Sequence, residues 1–229
     1  MKNKNLTIGI AINDVLRDFL GQFEYTYNKY IVENPEPEGG VLEVINHEEL
    51  RETDDRYINI DKNPITSFNL IEHFPFENVE AMNNFLYREA ALEIFGHADE
   101  LHPNLINQLN MFIMDMKDLE GHEVVIISRE AITAIPSTLF FLSKTSCKCE
   151  NIKFVTSYAD QWNDVDILIT ANPTVLNNRP SDKISVKVNT TYNENVSADY
   201  EIETLFDFMT DDALRKKIIT TKLTNYEEL

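Results

Sequence analysis

The run Leu6-Thr-Ile-Gly-Ile-Ala-Ile12 places apolar side chains at 6, 8, 10 and 12, breaks at Asn13-Asp14, and passes into a helical pattern. An apolar strand that turns straight into a helix is how a buried parallel strand reads in sequence. Val15, Leu16, Phe19, Leu20 and Phe23 predict a helix over 14–32. Asn13 or Asp14 would cap it, because short polar side chains satisfy the first free amides. Residues 33–40, made of Glu, Asn, Pro and Gly, form a break. Val41–Ile45 and the alternating Tyr57–Asp61 read as short strands on either side of a charged stretch. Helices are predicted over 78–95 and 103–118, the second opened by His102-Pro103. It presents Leu105, Leu109, Phe112 and Ile113 on one face, with Met111, Met114 and Met116 read as core filling. After Gly121 the pattern predicts strands at 124–128, 154–155, 165–169 and 184–188. A helix at 131–145 lies among them, and helices at 201–208 and 211–221 close the chain. The first strand must join this sheet, since alone its backbone edges would be unpaired. Residues 1–17 and 121–229 are therefore expected to form one core, and residues 18–120 a mostly helical insertion.

Composition narrows the function classes. The 229 residues suit one α/β domain with an insertion, or two small domains, and 43% hydrophobic residues are enough for a sizeable core. Asp and Glu number 39 against 20 Lys and Arg, a net charge of −19. That argues against direct contact with a nucleic-acid backbone. Cys147 and Cys149 are neighbours but one in a strand-like stretch and point to opposite faces, so a bridge between them would be strained. They are read as reduced thiols of an intracellular protein. No apolar run reaches the roughly 18 residues of a membrane span. The N-terminus leads directly into the first strand, without the apolar stretch of a secretory leader.

The order of elements carries a resemblance. A strand at the N-terminus is followed by a large helical insertion, then a strand ending in Ser or Thr, then a strand whose end leads into Asn-Pro. That order resembles the haloacid dehalogenase-like phosphatase superfamily, most nearly its deoxyribonucleotidase-like branch. The resemblance implies an α/β fold: an open parallel sheet with helices on both faces, plus a mostly helical cap at 18–120. It also says where chemistry should sit. The family's first motif, Asp-x-Asp, falls on Ala11 and Asn13, so the nucleophile's place holds a methyl group and the acid–base's place an amide. Its second motif, a strand ending in Ser or Thr, is matched by Ser128. The third motif's lysine is absent from Tyr158–Asn163. The fourth motif's paired acids fall on Thr170 and Ala171. Transfer of a phosphoryl group to the enzyme needs a carboxylate nucleophile. Magnesium is a hard cation that seeks carboxylate oxygens. An amide cannot shuttle a proton. The chain is therefore expected to lack phosphatase activity, with no metal and no cofactor.

Other polar candidates have plain structural readings. Asp14 and Asp18 suit a helix start, and Asp164 and Asp166 suit a turn and a cap. Ser128 with Arg129 could hold an anion near the next helix. His47, His73, His97, His102 and His122 show no paired metal spacing, and Trp162 is an anchor for packing or for a partner. The leading expectation is a dehalogenase-like pseudoenzyme kept as a structural or protein-binding component. Its partners would be other proteins, in a homo-oligomer or a multi-protein assembly, with no direct nucleic acid and no membrane. The acidic, Asn-rich, Gly-poor composition resembles proteins of low-GC bacteria and their phages. This adds a virion or tail protein as an expectation, and a cytoplasmic location otherwise. The alternatives are a residual nucleotide or phosphate binder using Ser128 and Arg129, and a magnesium-dependent 5'-nucleotidase-like phosphatase with displaced acids such as Asp14 and Asp166. Against the last stands the expected position of Asp14, inside the helix rather than at the strand end.

Overall fold

Short apolar runs distant in sequence line up as one sheet. The computed structural model describes residues 5–33 and 56–227. Six strands appear: β1 (Thr7–Ala11), β2 (Glu123–Arg129), β3 (Ile152–Val155), β4 (Ile167–Thr170), β5 (Ile184–Val188) and β6 (Tyr200–Ile202). They stand in the order β3-β2-β1-β4-β5-β6, all parallel. β1 is central, with Ile10 opposite Ile126 of β2 on one side and Ile169 of β4 on the other. One face of the sheet carries Ile8, Ile10, Ile126, Ile167 and Ile169 into the larger core, and the other carries Val125, Ile127 and Leu168 against Trp162 and Val175. Burial on both faces is why β1, β2 and β4 read as largely apolar runs.

Helices cover the sheet. Between β1 and β2 lie α1 (Phe19–Tyr27), α2 (Val79–Asn84) and α3 (Leu105–Asp115), joined by π-helical turns at Asn28–Val32, Phe85–Glu89, Leu92–Gly96 and Met116–Glu120. After β2 come α4 (Ile135–Lys144), α5 (Pro173–Asn177), α6 (Leu205–Thr210) and α7 (Asp212–Glu227). Aromatic rings from the stretch between β1 and β2 extend the larger core: the Phe23 ring meets Phe74 at 4.1 Å, and Phe76 and Tyr27 pack around them. α3 lies against α6 through Phe112 and Phe208, with ring centres 5.7 Å apart.

Four expectations are corrected. The helix begins at Phe19, not at residue 14, because Asp14 adopts φ +55 and Asp18 is the cap, accepting from the Gly21 amide at 3.0 Å. Residues 57–61 form no strand: the Asn28 side chain takes both backbone groups of Ile58, at 2.8 and 2.9 Å, in place of a strand neighbour. The helix expected over 201–208 is strand β6 followed by α6, because Asp199 ties the start of β6 to Ser185 of β5 before a Thr204–Asp207 capping box restarts the helix. Met111 and Met114 face solvent, each 60% exposed, and only Met116 fills the core. Val41–Ile45 lies outside the described residues.

Candidate functional site

In a parallel sheet all C-terminal strand ends open on one edge, where a ligand crevice belongs. The tips of β1, β2 and β4 here floor a cavity of about 210 Å³. Ala11, Asn13, Ser128, Arg129 and Thr170 line it, four of the motif positions compared in the sequence and the anion candidate Arg129. Ala171 is not in the lining: it is fully buried, and its carbonyl accepts from Asn193 Nδ2 at 2.8 Å. The opposite wall is apolar and aromatic, with Phe19, Phe68, Met82, Leu86, Tyr87 and Phe95 supplied by the insertion. A concave site with apolar walls and a few convergent polar groups is the usual form of a small-molecule pocket.

Under the floor lies a network that motif reading missed. Arg17 is fully buried in the turn after β1. Its Nε and Nη2 donate to Asn13 Oδ1, the former at 3.1 Å. Its Nη2 also reaches Glu130 Oε1 at 2.8 Å, and Nη1 donates to the Phe95 carbonyl at 2.8 Å and to Thr138 Oγ1 at 2.9 Å. Burial lowers the Arg17 pKa, and the Glu130 carboxylate opposes that shift. Ser128 Oγ donates to Glu130 at 3.3 Å, so the hydroxyl expected to hold a phosphoryl group is turned to a protein carboxylate. In sequence Arg17 is one cation between Leu16 and Phe19, and Glu130 lies 113 residues away. With Asp14 and Asp18 as near neighbours in sequence, Arg17 reads as an ordinary helix-start charge, and nothing local names Glu130 as its partner.

Asp14 lines the same cavity. Its Oδ1 accepts from the amides of Phe19 at 3.1 Å and Leu20 at 3.2 Å, and its Oδ2 accepts from Tyr192 at 2.8 Å. Burial pushes its pKa up to about 6, against the pull of those donors. The displaced-acid reading placed Asp14 inside a helix. It stands in the turn instead, and both its oxygens are already engaged. Asp166, the other displaced candidate, accepts from the Thr7 amide at 2.9 Å, at the opposite end of the sheet from the cavity.

The remaining candidates fall elsewhere. Asp164 is exposed and pairs with Lys153 at 3.3 Å. His122 accepts from the Leu6 amide at 3.3 Å, and burial lowers its pKa. Trp162 is a packing anchor, donating to the Val175 carbonyl at 2.9 Å. Cys147 and Cys149 are free thiols, both raised in pKa by burial. The helix after Ser128 and Arg129 starts only at Ile135, beyond a short 3-10 turn at Ile132–Ala134, so its first amides do not adjoin those residues.

Solved structures match this architecture along nearly the whole chain. A haloacid dehalogenase-like family hydrolase from Streptococcus pneumoniae superposes with a TM-score of 0.51 at 12% identity, over 90% of this chain and 97% of that one. A HAD-hydrolase from Bacillus subtilis, bound to magnesium, gives 0.50 at 12% identity, over 90% and 97%. The fold is that of the haloacid dehalogenase-like hydrolases. No protein-family model matches the sequence, and no curated protein does. At such identities the likeness is one of fold, and fold does not carry activity.

The dehalogenase-like fold implies a divalent cation at the strand tips, and the residues here do not fit one. Ala11 and Ala171 offer no side-chain oxygen, and the Asn13 oxygen is taken by Arg17. No group of three or more Asp, Glu, His or Cys able to hold a metal exists among the described residues.

Proposed function

We propose that this protein is a catalytically inactive dehalogenase-fold protein, of the deoxyribonucleotidase-like branch, kept as a binding component. One observation carries the reading. The β1 tip presents Ala11 where the fold would carry a nucleophile, and the next side chain facing the site, Asn13, is held by Arg17 rather than poised for proton transfer. A methyl group cannot attack phosphorus, Asp14 is committed to two amides and a tyrosine, and Glu130 is buried and ion-paired to Arg17 through its Oε1. In this reading residues 18–120 form a cap, whose described residues Phe19, Phe68, Leu86, Tyr87 and Phe95 wall the cavity.

A role in protein assembly is supported by the apolar side chains left outside. Ile132 is 81% exposed, and Leu139 and Phe140 lie half-exposed on the adjoining α4. A self-associating or multi-protein component, including one of a virion or tail, would cover them. Two measurements test the function. Hydrolysis of p-nitrophenyl phosphate and of deoxynucleoside monophosphates with magnesium should not exceed the blank. Turnover that disappears in Asp14→Asn would overturn the inactive reading. Sedimentation of the purified chain should show an oligomer, and a lone monomer with no captured partner would count against an assembly role.

A further inference from the structure

The cavity joins an aromatic wall to a polar floor. The donors at the floor can be identified from their neighbours. A guanidinium only donates, so Arg17 fixes the Asn13 side chain with its oxygen inward and leaves Nδ2 as the end available to the cavity. Asn172 is fixed in the same way: its Oδ1 caps α5, accepting from Thr174 at 2.9 Å and Val175 at 3.2 Å, which leaves its Nδ2. Neither amide nitrogen meets an acceptor among the described residues. Arg129 adds a cation beside them, with its guanidinium over the Tyr158 ring at 5.2 Å and no ion pair among the described residues. The carboxylates in the lining are Asp14 and Glu130. Asp14 accepts from two amides and from Tyr192, and Glu130 Oε1 is held by Arg17 and Ser128, while the buried Glu130 Oε2 has no partner among the described residues. Two amide donors without acceptors, Asn13 Nδ2 and Asn172 Nδ2, and one cation, Arg129, therefore line the same cavity.

We infer that this cavity takes a small organic anion directly, on Asn13, Asn172 and Arg129, without a divalent cation. The anionic group is a carboxylate or a phosphate, chemistries that the same donors accept. It is carried on a flat apolar body, because the facing wall holds Phe68, Tyr87 and Phe95 and because Tyr158 and Tyr192 flank Phe68 at 6.3 and 5.6 Å. That body bears a donor of its own: Gln161 is 4% exposed in the lining, and its side-chain oxygen has no partner. A buried acceptor left unpaired is uncommon and marks where a ligand N–H or O–H would sit. The inference rests on the inactive reading only in that no metal is needed.

Calorimetry on the full chain tests it, with 4-hydroxybenzoate, 4-hydroxyphenyl phosphate and the uncharged 4-hydroxybenzamide, each in EDTA and again with magnesium. At least one anion should bind in EDTA, magnesium should change nothing, and the amide should bind at least about tenfold more weakly, the loss expected of one charge-assisted hydrogen bond. Preference between the two anions distinguishes carboxylate from phosphate. Arg129→Gln should weaken the anion by a similar factor and leave the amide unchanged. Asn13→Asp keeps an acceptor for Arg17, so it should fold, and should abolish anion binding. No heat with either anion at millimolar concentration, binding only with magnesium, or equal binding of anion and amide would each overturn the inference. Because 4-hydroxybenzoate cannot be hydrolysed, its binding stands or falls separately from any turnover of the phosphate ester.

Discussion

At the scale of single residues, the buried Arg17–Glu130 pair is the most consequential feature of this chain. Both side chains are out of water, so each depends on the other for compensation. Arg17→Met should cost about 3–5 kcal/mol in urea unfolding, because it leaves a buried carboxylate unpaired. Adding Glu130→Gln should recover a large part of that loss, and a double variant no more stable than the single would show that the pair is not the cause. Asp14 makes a separate prediction. Its folded pKa, about 6, lies above its ordinary 3.8, so the folded state holds the extra proton between those values. Its contribution is fully present below about pH 4 and is lost as the pH rises through 6. The loss is about 3 kcal/mol, since each tenfold gain in proton affinity on folding is worth roughly 1.4 kcal/mol. Asp14→Asn should flatten that part of the stability curve, and a wild-type curve parallel to the variant's between pH 4 and 6 would contradict the assignment.

At the scale of elements, close packing at the central strand decides where change is tolerated. A methyl group added at Gly9 of β1 would lie 2.9 Å from Leu168 Cδ1 and 3.0 Å from Val165 Cγ1, both fully buried. Gly9→Ala should therefore destabilise by about 1–3 kcal/mol, as overpacking does, readable as a lower urea midpoint with an unchanged slope. The same strand shows what local pattern could reveal. Largely apolar runs announced β1, β2 and β4, since a strand buried on both faces has no polar alternation to lose, whereas β5 showed as the alternation Ile184-Ser-Val-Lys-Val188. β6 escaped because three residues, Tyr200–Ile202, are too few to show a period, although Thr204 and Asp207 stood in the sequence as a capping signal. The start of α1 was misjudged because Asp14 takes a positive φ in a turn closed by its own amide on the Arg17 carbonyl, which leaves Asp18 as the cap. The site divides along the same line. Ala11, Asn13, Ser128 and Thr170 could be placed from strand ends alone. The Arg17 network and the fixed direction of the Asn13 amide depend on residues brought together only by the fold.

At the scale of the whole molecule, a net charge of −19 surrounds a cavity lined by the cation Arg129 and the amides of Asn13 and Asn172. Self-repulsion among surface carboxylates opposes compactness, and salt screens it: the Debye length falls from about 10 Å at 0.1 M to about 3 Å at 1 M. The surface ion pairs act in the opposite direction but weakly; Lys153–Asp164, with Asp164 79% exposed, is of the kind that contributes little. The buried Arg17–Glu130 pair is nearly blind to salt because no ions reach it. Repulsion should therefore win, and the melting temperature should rise between 20 mM and 500 mM sodium chloride, by about 2–4 °C for each kcal/mol relieved in a chain of this size. Chloride could also raise it by occupying the donors at the cavity floor, and the two causes separate cleanly. Arg129→Gln removes the cavity cation and should keep the whole screening effect, while replacing chloride with a bulky organic anion should leave the wild-type rise intact. A melting temperature that falls with salt would mean that surface pairs, not net charge, govern the stability of the fold.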